Sequence, residues 1–187
     1  MLILGIGNIL EKDDGMGVYA STYLKRNFEF SPEIEIINGG VEGIHLLNRL
    51  EEHKEILLLD AIEIEDNHSS IYLIPAKELG DRGLNVGGAH EIGVLESLSI
   101  LELQGKPIPD VTILGIIPED VSFEIDLSGT LKRGFNRYIG VALEFLDRKG
   151  IRVFRKNVVE LDEIIREFRR LWKNKIHLTF TLTIIYL

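Results

Sequence analysis

Three side chains able to hold a cation or carry a proton, Asp14, Asp60 and His90, each stand just past an apolar run or at the mouth of a predicted helix. Asp14 lies in the segment GIGNILEKDDGMG (Gly5–Gly17), Asp60 closes the run EILLLD, and His90 follows GGA. In a wound α/β sheet such positions converge on one crevice, outside the carboxyl ends of the strands. Two carboxylates and an imidazole meeting there suit a divalent cation better than a phosphate. Held about 6 Å apart at an effective dielectric of about 20, the carboxylates repel by roughly 3 kcal/mol, and a cation between them removes that penalty. Oxygen and nitrogen donors without thiolates are compatible with nickel, zinc, manganese or iron, and the set alone does not choose among them.

Each residue also has an ordinary role open to it. Asp13-Asp14-Gly15 at a helix start reads as an N-cap with a helix-dipole contribution of ~1 kcal/mol. Two adjacent acids do not both cap one helix, which leaves the second to project into the crevice. Asp60 alone reads as a loop acid bonded to its own turn, and His90 alone as a solvated histidine. The shared location sets the three apart.

The elements that must position them follow from periodicity. Short apolar runs predict strands at Met1–Gly5, Ile34–Asn38 and Glu55–Ala61, separated by helices at Gly15–Asn27 and Ile44–His53. A strand at Ile71–Pro75 follows too closely for a helical crossover and is expected antiparallel at an edge. A Gly-rich segment, Gly80–Ala89, leads to a helix at Glu91–Leu103, a buried strand at Asp110–Ile117 and a helix at Ser128–Lys149. The expected fold is a three-layer α/β/α sandwich, with a mostly parallel twisted sheet of about five strands and an antiparallel edge strand. Residues 1–150 form one domain in this reading. Residues 151–187 form an extension, with a basic amphipathic helix at Val158–Trp172 and, from strict alternation, an apolar strand at Ile176–Ile184. An unpartnered strand of that kind invites pairing with a second copy, so a homodimer through it is expected beside a monomer.

The 187 residues carry a net charge of -9, unevenly: residues 148–187 hold ten Lys or Arg against four Asp or Glu, leaving -15 on the rest. Such a body repels nucleic acid backbones. No cysteine is present, which excludes thiolate ligands, disulfides and a cysteine nucleophile. The sequence enters MLILG without a basic, cleavable leader and has no apolar stretch near the ~20 residues of a membrane span, so a cytoplasmic protein is expected.

Two other chemistries fit poorly. The glycines of the first loop suggest a dinucleotide fingerprint, but Leu10 holds the third glycine position, and the second strand ends in Asn38 where a ribose-binding acid belongs. No G-x-S-x-G elbow or paired serine points to a covalent acyl enzyme. His45, His53, His68 and His177 show no ligand spacing.

Taken in order, GIGNILEKDDGMG, NGGVEG, LLLDAI, GAHEIG and GIIPED resemble the nickel-iron hydrogenase maturation endopeptidases over Met1 to about Gly150. The resemblance implies an enzyme that removes a short C-terminal peptide from the precursor of a hydrogenase large subunit, once nickel has entered that subunit. Nickel, supplied by the precursor and held weakly or not at all by the free enzyme, would be the recognition element. Asp14, Asp60 and His90 would contact it, with Asp14 or Asp60 as general base. The loop Asn38-Gly39-Gly40, together with Asn8, would meet the peptide, although the family often has Asp where Asn38 stands. A nickel-dependent adaptor or chaperone that binds the same subunit without cutting it is the alternative. The segment from about Arg152 exceeds the family pattern.

Overall fold

The run LILGI lies fully buried as strand β1 (Leu2–Ile6), inside the main sheet. The computed structural model describes the backbone of residues 1–41, 47–78 and 89–185, with the side chains of 47–48, 89–92, 95 and 176–185 left out. After β1 come helix α1 (Met16–Asn27), strands β2 (Phe28–Ser31) and β3 (Glu35–Gly40), helix α2 (Leu47–Glu51), and strands β4 (Glu55–Ala61) and β5 (Ile71–Pro75). Helix α3 (Ala89–Leu103), strand β6 (Asp110–Ile116), helix α4 (Gly129–Arg148), strand β7 (Arg152–Arg155) and helix α5 (Leu161–Ile185) complete the order. The N-terminal part of the expected helix Ile44–His53 and most of the Gly80–Ala89 segment lie outside the described residues.

The main sheet has the order β3-β1-β4-β6-β5, parallel except for β5, which runs antiparallel to β6 at the edge. Alternation along the strands sends Ile3, Leu57 and Leu59 to one face, packed by α1, α4 and α5. Leu2, Leu4, Ile56 and Leu58 go to the other, with Leu50 of α2 and Val94 and Leu101 of α3. Because β1 is flanked by β3 and β4, the chain order reverses between β1 and β4. That switch point opens a crevice at the strands' carboxyl ends.

The C-terminal segment differs from expectation in two ways. Ile176–Ile184 continues α5 as helix instead of forming a strand. Asp162 and Glu163 favour the start of that helix, no Gly or Pro interrupts it, and each added residue gains a backbone bond without needing a partner strand. The homodimer expected through a terminal strand loses that basis. Residues 151–168 are also woven into the domain. β7 pairs antiparallel with β2, and Ile151, Val159, Ile164 and Ile165 join the core. Buried Asn27 donates to the Val159 carbonyl at 3.0 Å and accepts its N–H at 2.6 Å. No helix among the described residues is long and apolar enough to cross a membrane.

Candidate active site at the ends of the parallel strands

Three glycines bring the first loop and α1 down onto the sheet. A Cβ on Gly17 would lie 2.0 Å from the Leu59 carbonyl oxygen and 2.4 Å from that of Ile6. The first turn of α1 therefore sits on the carboxyl ends of both β1 and β4. A Cβ on Gly5 would meet the Gly17 carbonyl at 2.2 Å. Gly7, at a φ of +125, turns the chain within 1.9 Å of where its Cβ would touch the Asp14 carbonyl oxygen.

Asp13 and Asp14 divide the roles open to an acid pair. Asp13 is fully buried and accepts backbone N–H groups from Glu119 (2.9 Å), Asp120 (3.0 Å) and Ser128 (2.6 Å). It thus ties the first loop to the β6–α4 loop, and it serves the start of α4, whose N-cap is Ser128, while α1 has no side-chain cap. Beside it, Lys12 pairs with Asp120 at 2.5 Å and Glu124 at 3.3 Å. That ammonium group holds the Asp120 carboxyl down at about 2. Asp14 is half-buried and accepts the Asn8 N–H at 2.6 Å. Asn8 shapes the same turn, accepting the Leu10 N–H at 3.0 Å and donating to Glu11 at 3.0 Å.

Asp60 is fully buried, one residue before the end of β4. Its Oδ1 accepts the Ala61 N–H at 2.9 Å. By alternation its side chain shares the face of Ile56, Leu58 and Ile62, the side covered by α3. Behind it the Tyr138 hydroxyl donates to the Leu114 carbonyl at 2.6 Å and accepts the Asp60 N–H at 3.2 Å. Burial, aided by the Asp60 carboxylate, pushes the Tyr138 phenol well above its ordinary range. Tyr138 is thus a fixed neutral support under Asp60. Its position on the buried face of α4 carries no sign of this in the sequence.

His90 is the second residue of α3, and its side chain lies outside the described residues. The far end of α3 is placed at the opposite edge of the sheet, where Lys106 binds Glu51 at 2.7 Å and the Asp110 N–H meets the Lys54 carbonyl. Asn38, Gly39 and Gly40 end β3 beside the first loop, with the Gly7 N–H donating to the Gly40 carbonyl at 3.0 Å. Asn38 is exposed, yet its amide bonds α1, accepting from Ser21 and donating to Thr22 at 2.9 Å.

Sequence spacing missed one cluster. His53 meets Glu35 at 2.8 Å, with Glu52 close by, and Arg49 reaches both acids at 3.6 and 3.3 Å. It lies at the amino ends of the strands, away from the crevice, and Arg49 already supplies positive charge.

Residues 18–145 match the family model described as hydrogenase maturation protease. The chain belongs to the hydrogenase maturation protease family. Asp60 and His90 fall inside the matched span of this protease family, and Asp14 just before it. The hydrogenase 2 maturation protease of Escherichia coli K12 is 26% identical over 160 residues, covering 85% of this chain and 98% of its own length. The hydrogenase expression/formation protein HupD of Rhizobium leguminosarum is 30% identical over 145 residues, 77% of this chain and 70% of the relative. The hydrogenase maturating endopeptidase HybD from E. coli superposes with a TM-score of 0.75 at 25% identity, covering 83% of this chain and 96% of that one. The maturation protease HybD from Thermococcus kodakarensis, at 22% identity and a TM-score of 0.63, shares the fold. In this maturation protease Asp60 stands at the carboxyl end of β4, and Gly17 presses against that same strand end the start of the helix that follows Asp14.

Proposed function

We propose that this chain removes a short C-terminal peptide from the nickel-loaded precursor of a nickel-iron hydrogenase large subunit, using the ion carried by that precursor as its recognition element. The observation that carries the reading is Asp60, buried at the carboxyl end of β4, with Gly17 pressing against that strand end the start of the helix that follows half-buried Asp14, in a hydrogenase maturation protease. The ion is part of the substrate. This chain has no cysteine, so its oxygen donors, with the His90 imidazole, would complement soft ligands on the precursor.

Asp14, the solvent-facing carboxylate, is the candidate to take a proton from the attacking water, with Asp60 as the second candidate. The hydroxide equivalent adds to the scissile carbonyl, and the intermediate breaks its C–N bond. The carboxylic acid then returns its proton to the leaving amine. Asn8 and the Asn38-Gly39-Gly40 turn flank the path of the peptide. A precursor without nickel offers nothing to offset the carboxylate repulsion and docks weakly.

Mixing the protein with nickel-loaded and nickel-free precursor, and following precursor mass, tests this. Loss of a C-terminal peptide from the loaded form alone is expected. A stable complex without any cut would favour a nickel-dependent adaptor instead.

A further inference from the structure

We propose that the precursor's C-terminal extension docks as an added antiparallel strand along the outer edge of β3; this rests on the processing function above. β3 is an edge strand of the main sheet, since among the described residues only β1 pairs with it. The Glu35 N–H faces β1, bonding the Met1 carbonyl. Alternation therefore turns the backbone groups of Ile36 and Asn38 outward. Lys25 confirms the direction: its ammonium reaches the Ile36 carbonyl from the outer side at 3.3 Å. An exposed lysine on such a carbonyl is a guard against unwanted pairing that a specific partner can displace.

A groove of about 920 Å³ runs beside this edge. Phe28, Phe30 and Ile34 give it apolar surface, Lys25, Arg49 and Lys156 line it together with Glu29, Glu33 and Glu35, and Asn38 ends it at the crevice. It is therefore continuous with the turn already placed next to the scissile peptide. Six residues of β3 offer about 20 Å of extended edge. β3 runs toward the crevice, so a tail leaving the crevice along it runs antiparallel. Its terminal carboxylate then travels toward Lys25 and Lys156, which with Arg49 supply the cations of a groove that also holds Glu29, Glu33 and Glu35. Strand addition of this kind draws affinity from main-chain bonds and tolerates varied side chains.

Hydrogen exchange on an Asp60→Asn variant mixed with nickel-loaded precursor tests the inference. The amides of Ile36 and Asn38 are expected to slow at least about tenfold on binding, while precursor lacking the extension leaves them unchanged. The double reversal Lys25→Glu, Lys156→Glu should raise the KM for precursor roughly tenfold with kcat retained. A bound complex without protection at these two amides, or an unchanged KM, overturns strand addition and leaves the processing function standing. Failure of the unaltered protein to cut loaded precursor overturns both.

Discussion

Replacing Asp13 with Ala should cost this protein about 3–5 kcal/mol of stability, an effect large for one side chain. The carboxylate is fully buried and takes three backbone N–H groups at 2.6, 2.9 and 3.0 Å. Hydrogen bonds to a charged acceptor contribute about 1.5–3 kcal/mol each. The simple sum overshoots, because water entering the vacated space recovers part of it and because the native state also bears the cost of burying the charge. Asp13→Asn keeps one carbonyl oxygen but turns an NH2 group toward a backbone donor, so it should lose less than Ala and still lose. Urea unfolding followed by circular dichroism measures this. With a slope of roughly 2 kcal/mol per M for a chain of this size, the Ala midpoint should fall by about 1.5–2.5 M with the slope unchanged. Cleavage should fall as well in the folded variant, since Asp14 is the next residue and shares the loop that Asp13 anchors. A midpoint shift below about 0.5 M would refute the view that Asp13 clamps the first loop to the β6–α4 loop.

Asp60→Asn, isosteric but unable to hold a proton or a full charge, should lower processing of loaded precursor at least 100-fold, read by precursor mass, with a melting temperature equal to or above that of the unaltered protein. Gly17→Ala should destabilise by more than about 3 kcal/mol, measured by thermal unfolding, because its Cβ would lie 2.0 Å from a backbone carbonyl oxygen of β4 with no flexible atom to move. The Lys12–Asp120 pair gives a stability increment with a defined pH window. The Asp120 carboxyl, depressed to about 2, contributes above its unfolded value near 3.8 and loses that contribution as pH falls through about 2. The Lys12 ammonium, raised from 10.5, contributes below that value and loses it on further alkalinisation. Lys12→Met should therefore narrow the gap between stability at pH 6 and pH 2, in a salt-sensitive way. If nickel recognition works as proposed, with the soft ligands on the precursor, the free protein should bind nickel no tighter than about micromolar by calorimetry.

Most of the crevice was legible because its determinants are local. The runs LILGI and EILLLDA announce their strands through apolar content alone, and a carboxylate one residue from a strand end can only stand at the rim. The place of Asp60 at the end of β4 followed from that, as did the antiparallel edge at Ile71–Pro75. What escaped depends on contacts between distant residues. Nothing in the pair Asp13-Asp14 says which acid turns inward, because the answer lies in three N–H groups more than a hundred residues away. The pairing of FEFS with RVFR is likewise non-local. The alternation of the terminal segment misled because period two describes a strand only where a partner edge exists, and α5 offered continuation instead.

The division of labour at Asp13-Asp14 also bears on the proposed recognition of an ion carried by the precursor. A carboxylate that must meet an ion brought by another protein gains little if it first has to be ordered, since immobilising it subtracts from binding. Here the ordering is complete beforehand: Gly7 and Gly17 press the loop against the strands, Asp13 fastens it to the opposite loop, and Asn8 orients Asp14 through its N–H. On the proposed reading, the repulsion between Asp14 and Asp60 is borne by the folded state, and a partner that brings positive charge relieves it. Enzyme stability at neutral pH should accordingly rise when Asp14 is changed to Asn while processing falls, a trade measurable by thermal unfolding beside the mass assay. Equal or lower stability in Asp14→Asn, with its fold intact, would mean that the two carboxylates do not share one field and that recognition must rest on something other than their repulsion.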